Sequence, residues 1–132
     1  MSEKQRVIIQ PHAEAIIGVI CEPRFDDIIV DQMQAEISVA AAKRSAAPVI
    51  LDMSKVDYVP SIGLGALVGL SRRLRQDGHR FLLAGLQAQV RTLFTITRLD
   101  KLFEIRSNVD DALAHLKAGD PAGGSDAGSN AQ

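Results

Sequence analysis

Val49-Ile50-Leu51-Asp52-Met53-Ser54-Lys55-Val56-Asp57-Tyr58-Val59-Pro60-Ser61-Ile62-Gly63-Leu64-Gly65-Ala66-Leu67 holds the transition that decides the fold. Val49-Ile50-Leu51 is short and continuously apolar, the pattern of a central strand covered on both faces. Asp52 to Tyr58 is loop-like. Pro60 keeps Val59 extended, so the chain runs straight and then turns sharply into a helix. Ile62 to Asp77 has the helical period, with Leu64, Leu67, Val68, Ser71 and Leu74 on one face. Gly78 suits the C′ position, and Arg72, Arg73 and Arg75 suit the negative end of the helix dipole.

Working outward, Arg6–Gln10 and Ala15–Cys21 are apolar runs of strand length joined by Pro11-His12-Ala13-Glu14, which makes an antiparallel hairpin the natural pairing. Asp27 to about Ser45 is helical through Ile29, Met33, Ile37 and Ala40, with Asp26, Asp27 and Asp31 at its positive end and Pro48 as its stop. Downstream, Arg80–Ala84 reads as a buried strand, Gln87–Thr97 as a helix, and Phe103-Glu104-Ile105 as a last short strand. Ser107 to Asp110 has capping-box spacing and opens a final helix to Lys117. The order ββαβαβαβα predicts one α/β domain. Its small mixed sheet has an N-terminal edge hairpin, central parallel strands and about four helices. Residues 1–5 are expected to be an N-terminal extension, 6–117 the domain, and 118–132 a disordered Gly/Ala/Ser/Asp tail.

The 132 residues fit one domain, and 46% hydrophobic residues suffice for a core. A net charge of −1 with no basic stretch argues against nucleic acid as the partner. No apolar run reaches the roughly 20 residues needed to span a bilayer, so no direct membrane insertion is expected. A single cysteine, Cys21, and a polar N-terminus suit a reducing, cytoplasmic setting.

Ser61 is the leading candidate site. Serine is a favoured N-cap, so a purely structural cap is one reading. The other is functional. Gly63, Gly65 and Gly69 each cost roughly 1 kcal/mol relative to alanine inside a helix, which suggests a close backbone approach. The Ser-Ile-Gly-Leu-Gly start also leaves N–H groups open to an anion. A hydrolase elbow is excluded by Val59 at its first glycine position. His79 would lie about 24 Å from Ser61 along the helix, and His115 belongs to the terminal helix, so no enzyme is expected. Asp52 and Asp57 could suggest a metal or phospho-aspartate site, but Asp52 reads better as a carboxylate binding loop N–H groups. Cys21 and the three histidines lack metal-ligand spacing, and no lysine precedes a Ser/Thr as a phosphate-binding loop requires. No cofactor or metal is expected.

Together Val49–Ser54, Val56–Leu67, Gly78–Leu86 and Asp111-Ala112-Leu113 resemble the STAS domain of bacterial anti-sigma factor antagonists over about residues 6 to 117. In that family the loop usually reads Asp-Ser-Ser/Thr/Ala-Gly, and a partner kinase phosphorylates its first serine. That serine falls on Ser61 and the glycine on Gly63. Pro60 replaces the usual aspartate, Ile62 the usual small residue, and Glu22-Pro23-Arg24-Phe25-Asp26 departs from the usual Gly-x-Leu/Val-Asp.

The resemblance implies partner switching. The unphosphorylated protein would bind a kinase-type anti-sigma factor, and the phosphorylated form would release it until a Ser/Thr phosphatase restores binding. The implied binding face comprises Asp26, Asp57, Pro60, Ser61, Ile62, Gly63, Leu64 and Gly65, with Asp52 supporting the loop. The alternative is a STAS module that is never phosphorylated, either a scaffold or the cytoplasmic subunit of a lipid or anion transport system.

Overall fold

The strands sort their side chains to two faces, and that alternation positions everything else. In a computed structural model, which describes residues 6–117, the strands are β1 (Val7–Gln10), β2 (Ile16–Ile20), β3 (Val49–Asp52), β4 (Phe81–Ala84) and β5 (Glu104–Arg106). They lie in that order in one sheet. β1 pairs antiparallel with β2, Val7 opposite Ile20, and every later pair is parallel, with Leu51 opposite both Gly18 and Leu83. The helices are α1 (Asp27–Lys43), α2 (Ser61–Gln76), α3 (Ala88–Ile96) and α4 (Val109–Lys117), and a 3-10 turn spans Leu99–Lys101. The expected extension (1–5) and tail (118–132) lie outside the described residues.

Successive strand residues point to opposite faces. Val7, Ile16, Ile20, Val49, Leu51, Phe81 and Leu83 meet α1, α2 and α3 in the larger core, whereas Ile17, Val19, Ile50, Leu82 and Ala84 meet α4 in a smaller one. β3 is therefore buried from both sides, as its continuous apolar run requires.

Three local expectations shift. The capping pair of α4 is Asn108 with Asp111, one residue later than the sequence spacing suggests: Asn108 Oδ1 accepts from Asp111 N–H at 2.7 Å, and Asp111 Oδ2 accepts from Ser107 N–H at 3.1 Å. The last strand starts at Glu104, because Phe103 turns inward against the rings of Phe81 and Phe94, with centroids 6.3 and 5.6 Å away. α1 ends at Lys43, where Arg44 leaves the helix and donates to the carbonyls of His12, Ala13 and Ala15, tying the hairpin to the helix.

Candidate functional site

The loops that follow β2, β3 and β4 gather at the carboxyl ends of the parallel strands, where open α/β sheets place their sites. Two of them are zipped together. Phe25 N–H donates to Tyr58 O at 2.9 Å, and the N–H groups of Asp57 and Tyr58 share Pro23 O at 2.9 and 3.2 Å. The Arg24 guanidinium stacks over the Tyr58 ring, 4.7 Å from its centroid. Behind them, Asp52 Oδ1 accepts from Ser54 N–H at 3.0 Å, while Gln87 Nε2 donates to Ser54 O at 2.9 Å. Gly85, at φ +74°, passes so close that a Cβ there would lie 3.1 Å from Ser54 Cβ and 3.4 Å from Asp52 Oδ1. Asp52 thus binds its own loop.

α2 starts on this frame. Its N-cap is Pro60, at φ −72° and ψ 170°, which has no acceptor side chain; Ser61 is the first helical residue. The cap reading of Ser61 is therefore corrected: its hydroxyl caps nothing, because proline occupies the capping position. Gly63 and Leu64 N–H both reach Pro60 O, at 2.8 and 3.1 Å. The N–H groups of Ser61 and Ile62 have no partner among the described residues. Ser61 and Ile62 are exposed, and Tyr58 and Ile28 add exposed apolar area on the neighbouring loop and helix start.

The expected face divides by burial. Asp57, Ser61, Ile62 and Gly65 are exposed, and Pro60 and Leu64 are half-buried. Asp57's carboxylate has no partner among the described residues. Asp26 is the N-cap of α1, its Oδ1 accepting from Ile29 N–H at 3.2 Å. Gly63 is buried beneath the face. A Cβ there would stand 2.6 Å from Phe25 Cδ2 and 2.7 Å from Phe25 O, so this glycine, unlike Gly65 and Gly69, answers a close approach.

No histidine serves Ser61. His79 is buried beyond the far end of α2, its Nδ1 2.7 Å from Ala47 O. Among the described residues no cluster of three or more His, Cys, Asp or Glu could hold a metal ion, and no helix is long and apolar enough to cross a membrane.

The STAS domain family pattern matches residues 19–112. The chain belongs to the STAS-domain family. BtrV of Bordetella bronchiseptica, a candidate anti-sigma factor antagonist, is 29% identical over 91 residues, 69% of this chain and 78% of BtrV. The anti-sigma-B factor antagonist of Listeria monocytogenes is 39% identical over 57 residues, 43% of this STAS chain and 50% of that protein. Among solved structures, the anti-sigma factor antagonist SpoIIAA in its unphosphorylated form matches with a TM-score of 0.71 at 18% identity, over 85% of this chain and 96% of that one. At that identity the likeness is one of fold.

In this STAS domain, sequence reasoning missed Arg24, Tyr58, Gly85 and Gln87, which knit the loops. Only Gly85 carried a usable signal, a glycine directly after a buried strand.

Proposed function

We propose that this STAS domain is an anti-sigma factor antagonist that works by partner switching, with Ser61 as the phospho-acceptor. The observation that carries this reading is that the Ser61 side chain contributes nothing to the fold. Its hydroxyl is exposed at the first position of α2, caps nothing, and adjoins two unpaired N–H groups. The unmodified face, with exposed Ile62, binds a kinase-type anti-sigma factor in the cytoplasm. A phosphate adds about −1.5 to −2 charge. The helix N-terminus favours it by about 0.3–1 kcal/mol, so the domain keeps its fold. At the desolvated interface the same charge is costly, and a loss of about 3–4 kcal/mol weakens binding a few hundredfold. A Ser/Thr phosphatase resets the switch.

The test is intact-mass analysis after incubation with ATP and the active partner kinase. A gain of one phosphoryl group, about 80 Da, that is missing from Ser61→Ala supports the reading. No gain with a kinase of verified activity refutes it. In binding assays Ser61→Ala should stay bound in the presence of ATP and Ser61→Asp should bind poorly; equal affinity of both for the anti-sigma factor sinks the switch.

A further inference from the structure

At the opposite end of α2 lies a surface that the switch does not use. Arg75 Nη2 donates to Leu102 O at 3.2 Å, joining the last turn of α2 to the segment between α3 and β5. That segment carries Leu102, 49% exposed, and follows Ile96, the last residue of α3, which is 72% exposed. Between them stand Arg98 and Lys101, both exposed, and Arg72 is exposed one turn before Arg75 on the same face of α2. The acidic groups at this end are exposed Asp77, half-buried Asp100 and Glu104, which is paired with Arg80, so exposed cations prevail in a chain whose net charge is only −1.

Complementing the α2 dipole accounts for Arg72 and Arg75, but not for Arg98, Lys101 or the two exposed apolar side chains. Arg98 lies outside any α-helix at φ +63°, a conformation that glycine adopts freely and arginine does not. It is the residue after the Thr97 C-cap, and its left-handed turn ends α3 and swings the arginine out beside Leu99–Lys101. Ile96 is the most exposed large apolar residue described, so it stands out from the surface rather than lining a cleft.

We propose that this end of the domain, with Ile96 and Leu102 beside Arg72, Arg75, Arg98 and Lys101, is a peripheral docking surface for an anionic lipid bilayer. Charge complementarity selects the partner. The cations sit at headgroup level, where clusters of four or more attract anionic lipid, and the two apolar side chains enter the interfacial layer. A nucleic-acid backbone would use the cations and leave both apolar tips without a match. α2 is 16 residues long, so about 24 Å separates this surface from Ser61. A docked domain therefore presents its switch face to soluble partners, and the proposal stands apart from phosphorylation.

The experiment is flotation of the full chain with vesicles of phosphatidylglycerol and phosphatidylcholine, against vesicles of phosphatidylcholine alone. Binding to the anionic vesicles only, weakened by added salt, is expected. Ile96→Ser/Leu102→Ser and Arg98→Glu/Lys101→Glu should each lower partitioning at least tenfold while circular dichroism shows the fold intact. Arg98→Gly relieves the backbone strain, so it should raise the unfolding midpoint and still weaken partitioning. Failure to float with anionic vesicles overturns the proposal, as does unchanged partitioning of both double variants. Capture by soluble poly-glutamate without vesicle binding would also overturn it, assigning the surface to an acidic protein.

Discussion

Replacing Gly63 by alanine puts a methyl carbon 2.6 Å from Phe25 Cδ2, 2.7 Å from Phe25 O and 3.0 Å from Val59 Cγ1. Carbon atoms pack comfortably at about 3.5–4.0 Å, so something must move by about 1 Å. Neither neighbour is free to do so. Phe25 is fully buried, and its N–H is bonded to Tyr58 O; Val59 is buried as well. Over-packing of a closed site costs about 1–3 kcal/mol. Alanine recovers about 1 kcal/mol of helix propensity, which leaves a net loss of up to about 2 kcal/mol, toward the upper end because one of the close atoms is backbone. With a urea slope of about 1–3 kcal/mol/M for a small protein, the midpoint should fall, by up to about 2 M. Gly65 and Gly69 provide the control inside the same helix, since a Cβ at either meets nothing within 4 Å. Their alanine variants should gain about 0.5–1 kcal/mol, raising the midpoint. Equilibrium urea unfolding followed by circular dichroism reads all three. A Gly63→Ala midpoint at or above wild type, or three shifts of one sign, would refute the close-approach reasoning.

Asp26→Ala removes the acceptor for Ile29 N–H at the start of α1 and should cost about 1 kcal/mol in the same assay; no change would mean that water caps the helix equally well. The Arg106 side chain, helped by the Ser107 N–H, holds the Asp111 carboxyl below its ordinary 3.8, against a small opposing effect of burial. A depressed folded pKa means that this stabilisation is fully present above about pH 4 and is lost as pH falls through the folded value. The pair is a third exposed, so solvent screening keeps its worth below about 1 kcal/mol. Asp111→Asn should be less stable than wild type at neutral pH and should converge with it as pH falls through the depressed folded value, a convergence that urea midpoints across pH can check.

The elements with strong local signals were legible. β3 and β4 announce themselves as continuous apolar runs, and the hairpin by its short link, so the mixed sheet follows from order alone. The misses have physical causes. The buried stripe of α2 comprises Gly63, Leu67, Leu70, Ser71 and Leu74; a glycine carries no apolar side chain to mark its start, so a stripe phased from Leu64 leaves out Leu70. Ser107 and Asn108 are both good caps, and only geometry shows which one the Asp111 N–H reaches. A serine after a proline looks like a cap until the backbone shows the proline already occupying that position. The Arg24–Tyr58 bridge joins two loops without periodicity, which no local pattern encodes.

These loop contacts also bear on how the proposed switch would act. Two broad routes exist: the phosphate could rearrange the α2 start, or it could change only what the surface offers a partner. Rearrangement would have to displace Gly63 from Phe25, break the bonds that zip residues 23–25 to 57–58, and disturb the Asp52–Ser54–Gln87 support behind them. Each bond is worth only about 0.5–1.5 kcal/mol, but they form one packed unit and would have to yield together. A phosphate favoured by about 0.3–1 kcal/mol at the helix N-terminus lacks the driving force for that. The surface route needs no such work, because Ser61 stands outside the packed unit and the cost of its charge falls on whatever partner desolvates it. A rigid face that changes charge without changing shape is therefore the arrangement this frame favours, and Pro60, by capping α2 without a side-chain acceptor, is what leaves the serine hydroxyl available for it.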